Sequence, residues 1–381
     1  HTEPEKLIYF ITQLIEENLD RQSIKALVDQ NLRLMSQKIV DRSAEVGELY
    51  IAQNRKEYMK LFKKAQGGGA YMSLTVIIKF ALSALKLPDF IQGLAYSLNY
   101  SLGFVGIQLS GFTLATKQPA VTGPRLAQQL SEIEKTDSID SVVQETVKLV
   151  RTQMVGILGN VGVVIPCVLI FNFIVYLLFG TNIVMKESSA SYLLNSTNVL
   201  SFATIYAGFT GVLLWLSSVF AGYMDNWFHL NNMTNTISLN RRINYVIGFE
   251  KSKRIALFLE KNIASLTANI SLAFLLGLIP IIGAFFGLYL DVRHVTLSAG
   301  NVALGAAYYG TDVFQMWDLW LSLIGLFLIG IINVGVSFAL ALWVALKAKN
   351  IKASQQRDIL KALLHILVTN PRCFFLPPKE Q

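Results

Sequence analysis

From Ala264 to Leu290 the chain reads ASLTANISLAFLLGLIPIIGAFFGLYL, and only Asn269 and Ser271 are strongly polar inside that run. An α-helix needs ~20 apolar residues to cross a ~30 Å hydrocarbon core. Pro280 stands in mid-run after Gly277 and predicts a kink, because proline removes one helix hydrogen bond. Gly283 and Gly287, four apart, predict a place where another helix can approach closely. Further apolar runs cover 71–87, 90–115, 154–179, 199–222 and 319–346. Charged residues make up only 15% of the chain, against ~25% in soluble domains, and the mean hydropathy is +0.46. These features specify an all-α fold: a polytopic helical membrane protein with about six transmembrane helices and an N-terminal cytoplasmic helical region. Residues 1–66 form that region, 67–346 the transmembrane bundle and 347–381 a basic cytoplasmic tail.

In the first segment Leu7, Ile8, Ile11, Leu14 and Ile15 recur at helical spacing, as do Ile24, Leu27, Val28, Leu32 and Met35. A third such pattern runs from Val46 to Phe62. Gly67-Gly68-Gly69 predicts a break before the membrane, since three glycines are costly in a helix. The 71–87 span carries Lys79 at its centre, with Thr75, Ser83 and Lys86 on the same stripe. A charge within the bilayer marks a site or a buried pairing, unless it snorkels to the interface. The 90–115 span contains Asn99, Gln108 and several glycines, which suits a close helix seam. Residues 121–153 form a partly helical loop, with Asp140-Ser141 as an N-cap. Asn301 to Gly310, within the connection 299–318, reads as a half-inserted helix. Trp320 and Trp343 bracket the last span, as expected of aromatic belts at two interfaces. The chain begins at His1 rather than Met, so we expect a processed or partial chain.

The net charge of +8 has a membrane meaning. Of 33 Lys and Arg residues, 29 fall before the first span, in 116–153, in 223–263 or after 346. The intervening connections hold only Lys86, Lys186 and Arg293. Because basic residues collect on cytoplasmic loops, both termini are expected in the cytoplasm. The polar group Asp291, Arg293, His294, Thr296 and Ser298 then lies at the opposite, periplasmic rim.

Motifs for chemistry are sparse. There is no phosphate-binding glycine loop, because Gly67 to Gly69 lacks a following Lys-Ser/Thr. The four histidines stand at no metal-ligand spacing, and Cys167 and Cys373 are expected reduced. No Gly-x-Ser-x-Gly elbow occurs. We expect no cofactor and no metal, and lean against an enzyme. The 291–298 cluster has three readings. It could be an interface cap in which Asp291 pairs with Arg293. It could recognise an anionic ligand, such as a lipid headgroup, through Arg293 with Lys79 or Lys86. Proton chemistry at His294 is the third reading. The candidate ligand-binding residues are therefore Lys79, Asn99, Gln108, Asp291, Arg293, His294, Thr296 and Ser298. Membrane lipids are the expected partners, with a homo-oligomer open and nucleic acid less favoured.

Five segments carry a family resemblance. They are Gly47-Glu48-Leu49-Tyr50-Ile51, Arg55-Lys56-Glu57-Tyr58 followed by Gly67-Gly68-Gly69, Leu114 to Ala120, Asp225-Asn226-Trp227-Phe228, and Phe286-Gly287-Leu288 with Leu290 to Ser298. Together they resemble the bacterial Gcr-like family, which carries the name "site-specific recombinase", over residues 43–350. The family pattern has His where Leu49 stands. The resemblance implies an inner-membrane protein, and the family name implies DNA strand exchange. A tyrosine-type recombinase would need a His-x-x-Arg motif, and none occurs in this chain. A serine-type enzyme would need a soluble catalytic domain, for which residues 1–66 are short and helical. The expected function is binding or movement of a lipid or other anionic ligand. The alternative is a DNA recombinase or DNA-associated membrane factor.

Overall fold

The structure is a computed structural model of the chain, and it describes residues 52, 54–114, 139–348, 361–362, 365–366 and 368–377. Residues 1–51, where most of the expected N-terminal helical region falls, lie outside the described residues, as does much of the basic tail. Among the described residues the fold is all-helical. In chain order it comprises α1 Arg55–Ala84, α2 Asp89–Leu109, α3 Ile139–Phe179, α4 Glu187–Asn195, α5 Ala203–Leu230, α6 Met233–Ser238, α7 Arg241–Ile247, α8 Phe249–Phe285, α9 Val295–Tyr309 and α10 Trp317–Ala348. Asp140 and Ser141 fall inside α3 rather than before it.

Five helices are long and apolar enough to cross a membrane: α1, Thr146–Phe179 of α3, α5, α8, and Trp317–Val344 of α10. The chain is thus a polytopic helical membrane protein. Helix α2, expected as a sixth span, is not among the five, because Gln92, Asn99, Gln108 and its tyrosines dilute its apolar content. It nevertheless runs back along the bundle, from Gly93 beside Gly277 to Gln108 beside Asn262 of α8, and so returns the chain toward the end from which α1 starts. Their seam is tight where Gly93 faces Gly277. A Cβ on Gly277 would lie 2.9 Å from the Gly93 carbonyl oxygen.

The glycine triplet does not break the helix. Helix α1 runs unbroken through Gly67, Gly68 and Gly69. Without water to compete for backbone groups, a helix in the membrane keeps its hydrogen bonds even where propensity is poor. The missing side chains let α3 and the end of the α2 connection approach. A Cβ on Gly69 would stand 2.5 Å from the Asn160 carbonyl oxygen, and one on Gly68 would meet the Thr113 carbonyl. Asn160 donates to the carbonyls of Ala65 and Thr113 and locks this contact. Since α1 begins at Arg55, Lys79 lies near its far end rather than at the middle of a span. The helix stops at Ala84, so Lys86, at φ 47°, leaves the helical stripe.

Helix α8 ends at Phe285, short of Leu290, where the apolar run itself ends. Gly287, at φ 69°, turns the chain while the Leu288 N–H donates to the Gly283 carbonyl at 2.8 Å. That is a Schellman-type stop. Gly283 and Gly287 therefore do not seat another helix. Gly283 packs against Leu288 and Leu290 of its own returning chain.

The returning chain re-enters the bundle. Residues 288–294 belong to no helix, with a tight turn in which Leu290 N–H donates to the Leu288 carbonyl at 2.8 Å, and α9 then runs back toward α4. Every residue from Val295 to Gly305 is buried. Helix α9 contacts α1, α3, α4 and α10, so it forms the hub of the bundle. Its small residues allow this. Gly300 lies against Val76 of α1, and Gly305 against α4 at the Ala190 carbonyl. Val295 sits beside Gly330, near the middle of α10. A helix thus covers the expected 301–310 stretch up to Tyr309, but it begins earlier, at Val295.

At the other end of the bundle the chain is tied by Ala52 N–H to Thr152 Oγ1 (3.1 Å), Tyr58 OH to the Phe375 carbonyl (2.9 Å) and Arg151 Nε to the Cys373 carbonyl (2.8 Å). Cys167 and Cys373 are free thiols. Trp320 and Trp343 are both exposed on α10.

Candidate functional site

Backbone that leaves its helix and enters the bundle needs protein groups to satisfy its hydrogen bonds. Helix α5 supplies two. Tyr206 OH donates to the Tyr289 carbonyl at 2.8 Å, and Thr210 Oγ1, one turn on, accepts from Arg293 N–H at 2.8 Å. Asn333, fully buried on α10, completes the set. Its Oδ1 accepts from Val295 N–H at 3.0 Å, and its Nδ2 donates to the Arg293 and Ala207 carbonyls, each at 2.9 Å. These bonds place Arg293 and Asp291 at the lip of the re-entrant turn.

There a cavity of about 420 Å³ opens. It is lined by the end of α1 (Lys79, Phe80, Ser83), by α4 and its C-terminal cap (Ser188, Ser189, Tyr192, Leu193, Ser196), and by Asp291, Arg293 and Asn301. That volume falls within the ~300–1,000 Å³ typical of small-molecule sites. The end of α1 and two connections that carry few basic residues thus meet at this cavity.

Arg293 Nη2 lies 2.6 Å from Asp291 Oδ2, so these two charges neutralise each other, as the cap reading expects. Asp291 Oδ1 also accepts from Val292 N–H at 2.7 Å. Lys79 is different. No carboxylate among the described residues comes within ion-pair distance of its ammonium, which instead faces the Tyr96 ring, 5.7 Å from Nζ to the centroid. Within the lining it is the one charge left without a counter-ion. Asn301 is 8% exposed, and among the described residues its amide has no hydrogen-bond partner.

Of the candidate residues, Lys79, Asp291 and Arg293 therefore come together. His294, Thr296 and Ser298 do not lie at the rim. They are 1%, 1% and 2% exposed and do not line the cavity. His294 packs on the Phe104 ring at 6.1 Å and bonds Thr296 Oγ1 through Nδ1 at 3.1 Å. Asn99 and Gln108 stand elsewhere. Asn99 Nδ2 donates to the Thr75 carbonyl at 2.8 Å, and Gln108 bonds Asn269 and Asn262 across the α2–α8 seam. Both act as clamps between helices. Lys86 does not line the cavity.

Sequence reasoning does not single out Asn301, Asn333 or the α4 serines. A mid-span asparagine in the 319–346 run is the available signal for Asn333. The serines sit in a short connection whose folding onto α9 no local pattern reveals. Compared with known proteins, residues 1–377 match the model of a family described as site-specific recombinase. No curated protein and no solved structure is matched.

Proposed function

Starting from the premise that the chain belongs to the site-specific recombinase family and is a polytopic helical membrane protein, we propose that it binds an anionic ligand, such as a lipid headgroup, in the Lys79–Arg293 cavity, without catalysing a reaction on it. The observation that carries this reading is the uncompensated ammonium of Lys79 facing a polar cavity. A buried or half-buried charge is costly unless it is paired, and an anion supplies the pair. The uncapped first turn of α4, where Ser188 and Ser189 stand, adds the positive end of a helix dipole. The placement is a bacterial inner membrane, multi-pass, with both termini in the cytoplasm and the cavity on the periplasmic side, following the sorting of basic residues.

Purified protein is expected to retain radiolabelled anionic lipid. Lys79→Ala and Arg293→Ala should each weaken retention about 10- to 100-fold, the worth of one charge-assisted contact. Unchanged retention in both variants would contradict the proposal.

The family's description favours a second reading, a DNA-associated membrane factor. Its surface would be the opposite end of the bundle, where Arg241, Arg242, Lys251, Lys253 and Arg254 are exposed. DNA binding that weakens steeply with salt would support it, because phosphate contacts release counter-ions. Absence of binding at low salt would remove it.

A further inference from the structure

The cavity's lining narrows the ligand class, and this step rests on the anion-binding proposal above. Charge sets the first limit. With Arg293 and Asp291 paired at 2.6 Å, the lining offers one net positive charge, that of Lys79. A phosphodiester or a carboxylate carries one negative charge, whereas a phosphomonoester carries about 1.5 to 2. A single ammonium balances the former and leaves the latter with excess buried charge.

Hydrogen-bonding capacity sets the second limit. A phosphate or carboxylate offers acceptors only. The lining, however, also presents acceptors of its own: the Asp291 carboxylate, the Asn301 carbonyl group and the hydroxyls of Ser188 and Ser189. Asn301 is the informative member, because it is more than nine-tenths buried and unpartnered among the described residues. Its amide lines the cavity and offers two N–H donors and one carbonyl acceptor, so a ligand that brings donors as well as acceptors satisfies both ends of it. Hydroxyl groups do both. Ser83 and Ser196 already donate to the carbonyls of Phe80 and Leu193, so Ser188, Ser189 and Asn301, with the Tyr192 hydroxyl, remain for this task.

We infer that the cavity accommodates a singly charged phosphodiester bearing free hydroxyls on its far side, a glycerol- or sugar-type headgroup, with Lys79 on the phosphate and Asn301, Ser188 and Ser189 on the hydroxyls. Phe80 and Leu193 line the same space and suit the carbon skeleton of such a group.

The test uses the full chain in detergent and native mass spectrometry, with phosphatidylglycerol, phosphatidic acid and phosphatidylcholine of identical acyl chains in competition. Phosphatidylglycerol is expected to be held about tenfold over phosphatidic acid, the worth of one or two good hydrogen bonds. Asn301→Ala should collapse that preference. So should the double variant Ser188→Ala/Ser189→Ala, whose two positions are exposed and leave the core untouched. Lys79→Gln should lose both anions. Displacement by soluble glycerophosphoglycerol would identify the free diester as sufficient, and its failure beside retained phosphatidylglycerol would identify the lipid as the source. Equal retention of the two anionic lipids, or a preference unchanged in both serine and asparagine variants, would overturn this inference while the anion site stands. Retention of neither above phosphatidylcholine would overturn the anion site itself.

Discussion

Asn333→Leu is expected to cost about 2–6 kcal/mol of stability, enough to abolish a detergent-stable protein, because it strands two backbone groups inside the bundle. Leucine keeps the branched shape, so no cavity forms, but its two methyls need more room than the hydrogen-bonded oxygen and nitrogen did, and overpacking adds to the lost bonds. The Val295 N–H and the Arg293 carbonyl belong to the re-entrant turn and have Asn333 as their partner. The Ala207 carbonyl also loses Asn333 but keeps its place in the α5 ladder. An ordinary polar contact between membrane helices is worth only ~0.6 kcal/mol. The difference lies in what is left behind, since an unsatisfied buried group costs ~1–3 kcal/mol. Thermal denaturation followed by size-exclusion chromatography reads the effect. A variant as heat-stable as the parent would show that the turn is held by something other than Asn333.

Gly69→Ala gives the second large effect, and its sign is the point. In an exposed helix interior this substitution stabilises by ~1 kcal/mol through propensity. Here the new methyl would stand 2.5 Å from the Asn160 carbonyl oxygen and 3.1 Å from Val163 Cβ. Helix α3 cannot retreat without breaking the Asn160 bonds to Ala65 and Thr113. Overpacking of this kind costs ~1–3 kcal/mol even where side chains can yield, and here the obstacle is backbone. We expect a net loss of about 2 kcal/mol or more for Gly69→Ala, and a larger loss for Gly69→Val. Gly162→Ala on α3 is the matched contrast. A Cβ added there would meet no atom within 4 Å, so this variant should gain up to ~1 kcal/mol. Equal melting temperatures for the two alanine variants would contradict the packing described at the triplet.

The membrane class is legible in the sequence because it rests on composition and run length, which depend little on tertiary context. Lys79 and Arg293 are legible as charges where charges are costly, and the structure brings them to one cavity. Three features mislead for a shared reason. The glycine triplet reads as a helix breaker, as it would be in water. Inside a bundle, however, the same absent side chains allow α3 to come close. The Gly283–Gly287 spacing reads as a helix-packing motif, whereas Gly287 serves a left-handed turn that ends α8. His294, Thr296 and Ser298 read as a rim because they follow an apolar run. Burial of α9 against α1, α3, α4 and α10 draws them inside, and that is a long-range contact no local pattern encodes. Asn301 and the α4 serines are invisible for the same reason: each is unremarkable alone and acquires meaning only where α4 folds over α9.

In the proposed orientation the cavity faces away from the cytoplasm, with Lys79 waiting for an anion from the outer leaflet or the periplasm. Lys186, exposed at the start of α4 beside the cavity lining, reports the side directly. With Cys167 and Cys373 replaced by alanine, Lys186→Cys in intact cells is expected to react with a membrane-impermeant maleimide added outside. Protection in intact cells, with labelling only after the inner membrane is opened, would turn the cavity toward the chromosome. The phosphates of DNA would then replace lipid as the anion to test.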